Sequence, residues 1–247
     1  TPDSCSVDVK ASWVDYNNDG NLDLFVRNTR CVNALYTGNG EGTFARMKKG
    51  QIVTELERSD GAAWADFDND GYIDVMLANH WTSESRIISL YRNRGDGSFE
   101  WVHLDVSVPR QGKGLGQSTA ADYNNDGLID CFVDNYAEIN YLLRNDGGCR
   151  FTEVVNTVTG NWYSTAGAWG DYNNDGYLDL FLSTLTVNAL LTNLQDGTFE
   201  PVGDGDIVSD LGSSRGCAWG DLDNDGDLDL VVANGYPRFQ ENFLYVN

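Results

Sequence analysis

Apolar residues along this chain come in short, β-rich runs, and no helical period is sustained anywhere. LFV from Leu24, VMLA from Val75, CFV from Cys131, LFL from Leu180 and VVA from Val231 each read as a short, largely buried strand. After a variable loop comes a second apolar run: ALYTG, ISLYRN, NYLLRN, ALLTN and FLYVN. A Gly-rich turn and a further strand follow in GNGEGTF, RGDGSF, NDGGCRF and LQDGTF. Upstream of each set stands a run of small residues with a tryptophan near its end, at Trp13, Trp64, Trp169 and Trp219, and with Ala120 as the exception. Each unit therefore predicts four strands joined by hairpins.

The units are bound into one pattern by a nonapeptide between the first and second strands. It reads DYNNDGNLD at Asp15, DFDNDGYID at Asp66, DYNNDGLID at Asp122, DYNNDGYLD at Asp171 and DLDNDGDLD at Asp221. The period is about fifty residues, with repeats of approximately 1–50, 51–106, 107–156, 157–206 and 207–247. Four antiparallel strands at that period are the signature of a propeller blade, because one such sheet cannot bury both faces alone. The expected fold is all-β, a single β-propeller domain of about five four-stranded blades. The last blade lacks its outer strand, since the chain stops at FLYVN where the fifth Gly turn is due.

The nonapeptide has the chemistry of a hard-cation loop. Oxygen-bearing side chains recur at positions 1, 3, 5 and 9, and alternate residues of a tight loop point to one centre, as a six- to eight-coordinate Ca²⁺ requires. Glycine at position 6 permits the sharp turn, and the residue at position 7 can add its backbone carbonyl. The expected ligands are Asp15, Asn17, Asp19, Asn21 and Asp23 in the first loop, and Asp66, Asp68, Asp70, Tyr72 and Asp74 in the second. The third offers Asp122, Asn124, Asp126, Leu128 and Asp130, and the fourth Asp171, Asn173, Asp175, Tyr177 and Asp179. The fifth offers Asp221, Asp223, Asp225, Asp227 and Asp229. An EF-hand is set aside, because its position-12 glutamate is replaced by Val26, Leu77, Val133, Leu182 and Val232. DNDG is also an ordinary turn sequence, yet turn chemistry does not demand acid at positions 1, 5 and 9 five times over. Carboxylates crowded within a few ångströms repel unless a cation sits among them.

Charge supports the same picture. The 247 residues carry 38 acids against 16 bases, a formal charge of -22, which disfavours nucleic acid and anionic membrane surfaces as partners. Five Ca²⁺ would bring it to about -12, so folding and metal binding are expected to be coupled. No apolar run approaches the roughly 20 residues of a membrane span, and membrane insertion is not expected. A chain that starts at Thr1 fits either a processed mature form or an excised fragment.

These motifs resemble the FG-GAP/VCBS repeat family, the integrin α-subunit type of calcium-binding propeller. The likeness runs from about Ser12 to Asn247. It implies calcium loops on one face of the disc and partner-binding loops on the other. Trp81, Tyr136, Trp162, Tyr163, Tyr236 and Phe239 fall in the variable connections of that second face, where they either form a recognition surface or cover blade edges. The unfinished fifth blade belongs to a longer propeller, or is completed by Thr1 to Val9 or by a strand from a neighbouring molecule, which would make the chain self-associate.

On this blade plan Cys5 and Cys31 both lie away from the calcium loops, so a disulfide between them is expected, and with it an oxidising, extracellular or cell-surface location. Cys131 and Cys217 take small core positions, and Cys149 is either free or paired with Cys131. Arg94-Gly95-Asp96 occupies a Gly turn and reads as a turn rather than an adhesion signal. His80 and His103 are isolated, and no catalytic constellation or zinc spacing appears. The expected function is a secreted, non-catalytic, lectin-like or cell-adhesion module for protein or carbohydrate. The alternatives are a structural subunit of an extracellular assembly completed by strand exchange, and an accessory domain of a polysaccharide-acting or lipase-like enzyme.

Overall fold

Apolar alternation in each repeat is resolved as a separate antiparallel sheet. The computed structural model describes residues 9–79, 87–106, 115–136, 138–155, 162–235 and 240–247. Blade one holds β1 (Val9–Val14), β2 (Asp23–Asn28), β3 (Ala34–Gly38) and β4 (Phe44–Arg46). A short helix, α1 (Gln51–Thr54), leads to blade two: β5 (Ser59–Ala65), β6 (Asp74–Asn79), β7 (Ile88–Asn93) and β8 (Phe99–Val102). Blade three is β9 (Leu115–Ala121), β10 (Asp130–Asn135), β11 (Tyr141–Asn145) and β12 (Phe151–Val154). Blade four is β13 (Ser164–Gly170), β14 (Asp179–Thr184), β15 (Ala189–Asn193) and β16 (Phe199–Pro201). Blade five has three strands, β17 (Ser214–Gly220), β18 (Asp229–Asn234) and β19 (Phe243–Tyr245). Within every sheet the spatial order follows the chain, and the five sheets form a five-bladed β-propeller whose last blade is one strand short. First strands pack on first strands of adjacent blades, β5 on β9, β9 on β13 and β13 on β17, so they line the centre.

Apolar stacking between sheets holds the blades together. Phe25 and Leu35 of blade one share a buried cluster with Val75, Leu77 and Tyr91 of blade two. Tryptophans at the end of the first strand insert edge-on against the preceding blade: Trp64 on Phe25 at 5.2 Å, Trp169 on Phe132 at 6.3 Å and Trp219 on Phe181 at 6.3 Å between ring centroids. Where Ala120 replaces the tryptophan, Met76 of blade two takes the place of the phenylalanine in the shared cluster. Trp13 is the exception in environment, being 58% exposed, because its face of blade one has no sheet against it among the described residues. Blade five mirrors this: Val231 and Leu244, at the positions of Phe25 and Leu35, are exposed, Leu244 to 58%.

Polar staples supplement the stacking. Asn93, Asn145 and Asn193, each closing its third strand, donate from Nδ2 to the backbone of the preceding blade's loop, at Tyr16 O (2.6 Å), Phe67 O (2.8 Å) and Tyr123 O (2.8 Å). The same amides reach Ile73 O, Ile129 O and Leu178 O in their own blades. At the far end of the sheets another asparagine caps the second strand: Asn33 and Asn140 accept the N–H of Asn28 and Asn135. Cys131, Cys149 and Cys217 are free thiols, so the open choice for Cys149 resolves against a bond to Cys131, although both lie in one apolar cluster.

The asparagine staple gives a direct test. Asn193→Ala leaves two carbonyls without their donor in a buried setting, and a loss of about 3 kcal/mol in urea unfolding is expected. A loss below about 0.5 kcal/mol would show that the staple is not structural. Asn39→Ala, which removes only contacts to turn amides, serves as the mild comparison.

Candidate metal centres

All five nonapeptides fold as the same loop at one end of the propeller, between the first and second strands of each blade. Position 1 closes it: Asp15 accepts the N–H groups of Asp19 (3.1 Å) and Gly20 (2.9 Å), and Asp66, Asp122, Asp171 and Asp221 do likewise. In loops one, three, four and five position 3 accepts the N–H of position 5, as in Asn17 to Asp19 at 3.0 Å, whereas Asp68 of loop two faces Arg92; in all five, position 5 accepts the N–H of position 7. The expected ligand side chains therefore curl inward around the loop's own amides. Each such oxygen retains a second lone pair for a cation. The backbone reverses at position 6, where Gly20 and its equivalents hold positive φ.

Position 9 is a different kind of group. Asp23, Asp74, Asp130, Asp179 and Asp229 open their second strands and are buried. One oxygen accepts the N–H of position 2, and the other that of the residue closing the third strand, as in Asp74 to Phe67 (3.0 Å) and Asn93 (2.7 Å). Burial raises the carboxyl of Asp74 and of Asp130 to about 7 and that of Asp179 to about 6, against the lowering effect of those amides. These aspartates are latches as well as candidate ligands.

Charge differs from loop to loop. In loops two and five, where position 3 is aspartate, oxygens of Asp66, Asp68 and Asp74, and of Asp221, Asp223 and Asp225, lie within 4.8 Å of one another. In loops one and three the position-3 asparagine turns its amide onto position 5, at 3.0 Å and 2.9 Å. Arg92, on β7, pairs with Asp68 and with Asp70 (2.9 Å), so loop two carries a counter-charge of its own. Arg144, at the same place in blade three, turns instead to Asp146 of the Gly turn at 2.8 Å; blade two has Arg94 there and offers it no such acid. Loop five has an added acid in Asp227, whose carboxylate accepts the Asn174 amide at 2.6 Å. All-oxygen donor sets of this kind fit a hard divalent cation.

Two devices escaped sequence reasoning. Position-4 asparagines Asn18, Asn69 and Asn125 stand at φ of 56° to 57° and donate to the position-6 carbonyl of the next loop, Gly71, Gly127 and Gly176. Their recurrence is visible as the N that precedes DG in YNNDG and FDNDG, but it reads equally as turn chemistry. Arg92 had no signal, because its orientation depends on the turn residue two places on. Position-7 side chains cover the Gly turn: a β-carbon at Gly95, whose φ is +70°, would strike the Tyr72 ring. Arg94-Gly95-Asp96 is accordingly a hairpin turn, with Asp96 accepting from Ser98 at 2.9 Å.

Three of the six aromatics of the expected recognition face are described. Tyr136 follows β10 and Tyr163 precedes β13, both at the sheet ends away from the acidic loops, and both are exposed. Trp162 sits with them but packs partly into the cluster between blades three and four. Trp81, Tyr236 and Phe239 lie outside the described residues, as does Cys5.

The pattern of FG-GAP-like repeats matches residues 15–77, 66–133, 122–182 and 183–232, and the chain belongs to that family. Cartilage acidic protein 1 of Xenopus tropicalis is 28% identical over 122 residues, 49% of this chain and 18% of that protein. Its Mus musculus counterpart is 29% identical over 118 residues, 47% of this chain and 18% of that protein. The matched stretch thus spans less than a fifth of these relatives. Among solved structures, an Agrocybe aegerita lectin described as specific for non-reducing terminal N-acetylglucosamine superposes with a TM-score of 0.60 at 18% identity, covering 91% of this chain and 60% of the lectin. The rhamnogalacturonan lyase YesW gives 0.51 at 14% identity, covering 91% and 46%. Both likenesses show the fold alone.

The position-9 latches set a pH dependence. The folded-state values of Asp74, Asp130 and Asp179 lie above the ordinary 3.8, so folding favours their protonated form. The associated stability is full below about pH 4 and drains as pH rises through 6 to 7. In chelator, the melting temperature is expected to fall between pH 5 and pH 8; a rise over that interval would contradict the assigned burial.

Proposed function

We propose that this chain is a calcium-stabilised, non-catalytic recognition module of the extracellular space, binding protein or glycan on the face opposite its acidic loops. The observation that carries the reading is loop five. Asp221, Asp223 and Asp225 converge their oxygens with no arginine or lysine paired to them among the described ion pairs, and Asp227 adds a further charge beside them. Such a cluster is relieved by a bound cation. Bound calcium would neutralise the carboxylates and cross-link positions 1, 3, 5 and 9 of each loop, and with them the strands these positions join. The ligand set proposed is the one expected from the sequence, about five ions in all. Supporting the recognition role are the exposed Tyr136 and Tyr163 and a propeller fold shared with a lectin. An oxidising location fits a Cys5–Cys31 disulfide; Cys31 is not among the free thiols. No helix among the described residues is long and apolar enough to cross a membrane.

A second reading, self-association, has its own observation. Blade one exposes Trp13, Leu22 and Phe44, and blade five exposes Val231 and Leu244, positions that elsewhere form the two halves of each blade-to-blade contact. The fold shared with a lyase is compatible with an accessory role beside an enzyme.

Calorimetric titration should count about five Ca²⁺ per chain, and chelator should lower the melting temperature by more than about 10 °C. An unchanged melt with no heat of binding would remove the calcium reading. Arg92→Thr, which installs the residue present as Thr37 and Thr192, is expected to strengthen Ca²⁺ binding at loop two about fivefold and to lower the melt in chelator. Unchanged affinity would show that Arg92 does not compete for that site. For recognition, glycan-array and protein-binding signals should drop at least tenfold in a Tyr136→Ala, Tyr163→Ala double variant that keeps its melting temperature.

A further inference from the structure

Asp60 of β5 and Asp134 of β10 both belong to the centre of the propeller, and the chain compensates them unequally. Lys10 of β1 pairs with Asp60 Oδ1 at 2.8 Å, and Arg27 donates from Nη1 to the Asp60 carbonyl at 2.8 Å. Asp134 is fully buried, and neither of its carboxylate oxygens has a hydrogen-bond partner or an ion pair among the described residues. Burial pushes its carboxyl well above the usual range, because a charge out of water is costly unless something balances it.

A glycine in blade three makes room for this acid. The pairing of β9 with β10 shifts register between Val133 and Asn135, as β5 with β6 does around Asp60 and β13 with β14 around Thr165. At that irregularity blades two and four carry a side chain, and blade three carries Gly116. A β-carbon at Gly116 would strike Asp134 Oδ1, so the carboxylate fills the space that a side chain there would need. The corresponding second-strand residues are Arg27, Ala78, Ser183 and Ala233, so the acid is peculiar to blade three. Asp134 feels the charges of Lys10 and Asp60, and its own charge is felt by Cys217 of β17. Blades one, two, three and five therefore converge on it, and the propeller axis is the place they share.

A proton or a cation could balance the charge. A protonated carboxyl needs an acceptor for its O–H, whereas the polar groups that turn toward Asp134 are the backbone N–H groups of Gln117 and Gly116, which suit the charged form. Lys10 is already held by Asp60. One negative charge is left over, and one monovalent ion neutralises it. We infer that Asp134 anchors an axial site for a single alkali-metal cation, sodium or potassium, at the end of the propeller away from the acidic loops. It is separate from those loops, since Asp134 is the fifth residue of a strand that opens at one of them.

The test is run in chelator throughout, so that its result does not depend on whether the acidic loops take calcium. Melting is followed at constant ionic strength while N-methylglucamine is replaced by sodium or by potassium. The native chain is expected to gain about 3 °C saturably with at least one of the two ions, and Asp134→Asn, of the same shape, to gain less than about 1 °C. Equal gains in both chains overturn the site. No gain in the native chain means that a proton alone balances the carboxyl, and overturns it too. As a readout that needs no variant to fold, crystals of the native chain soaked in rubidium or thallium(I) should give an anomalous peak against the Asp134 carboxylate, and a map without one overturns the assignment. Calorimetric titration without chelator separates the remaining source: loss of one Ca²⁺ per chain in Asp134→Asn would make a divalent ion the occupant and overturn the monovalent assignment, whereas an unchanged count supports it.

Discussion

A buried aspartate at the root of each second strand is the constraint on which the rest of this molecule depends. Asp74 and its four counterparts each fix two backbone amides from different parts of the blade, one in the acidic loop and one at the close of the third strand. The residue closing the third strand is, in blades two to five, the asparagine whose side chain reaches into the preceding blade's loop. Loop geometry, strand pairing and blade-to-blade contact are therefore tied through one carboxylate. An isolated carboxylate out of water is strongly disfavoured, and two amides offset only part of that cost. Whatever neutralises the loop consequently acts on the stacking of sheets.

Much of this was legible before any coordinates. The fifty-residue period, the four-stranded plan and the short fifth blade follow from alternation and turn chemistry, and the second strands open at the aspartates where the pattern places them. What escaped depends on contacts far apart in the chain. Asn18 meets Gly71 and Asn125 meets Gly176, partners more than fifty residues away that no local pattern reports. Trp13 and Trp64 have the same sequence surroundings and opposite environments, because burial is set by the next sheet and not by the strand itself. Likewise Trp162 looked like a surface aromatic among its neighbours, and packing between blades three and four partly claims it.

The five loops answer one electrostatic problem in different ways. Loops one and three place an asparagine amide against the position-5 acid, and loop two accepts a fourth acid and sets Arg92 against it. Arg92 and Arg144 occupy the same strand position and yet serve different partners, since Asp146 holds one and nothing comparable holds the other. A side chain's role here is decided by the competition among nearby carboxylates, and the competing residue sits two places further along the chain.

Loop five stands apart in both respects. It carries the most acid, and it belongs to the blade with the fewest strands and an exposed outer face. A deficit of packing and an excess of like charge fall on the same blade, where three described strands, against four in each of the others, oppose the repulsion. A cation held there would remove the repulsion across Asp221 to Asp229, and the latch at Asp229 would carry that effect to the far end of β19 through Asn247.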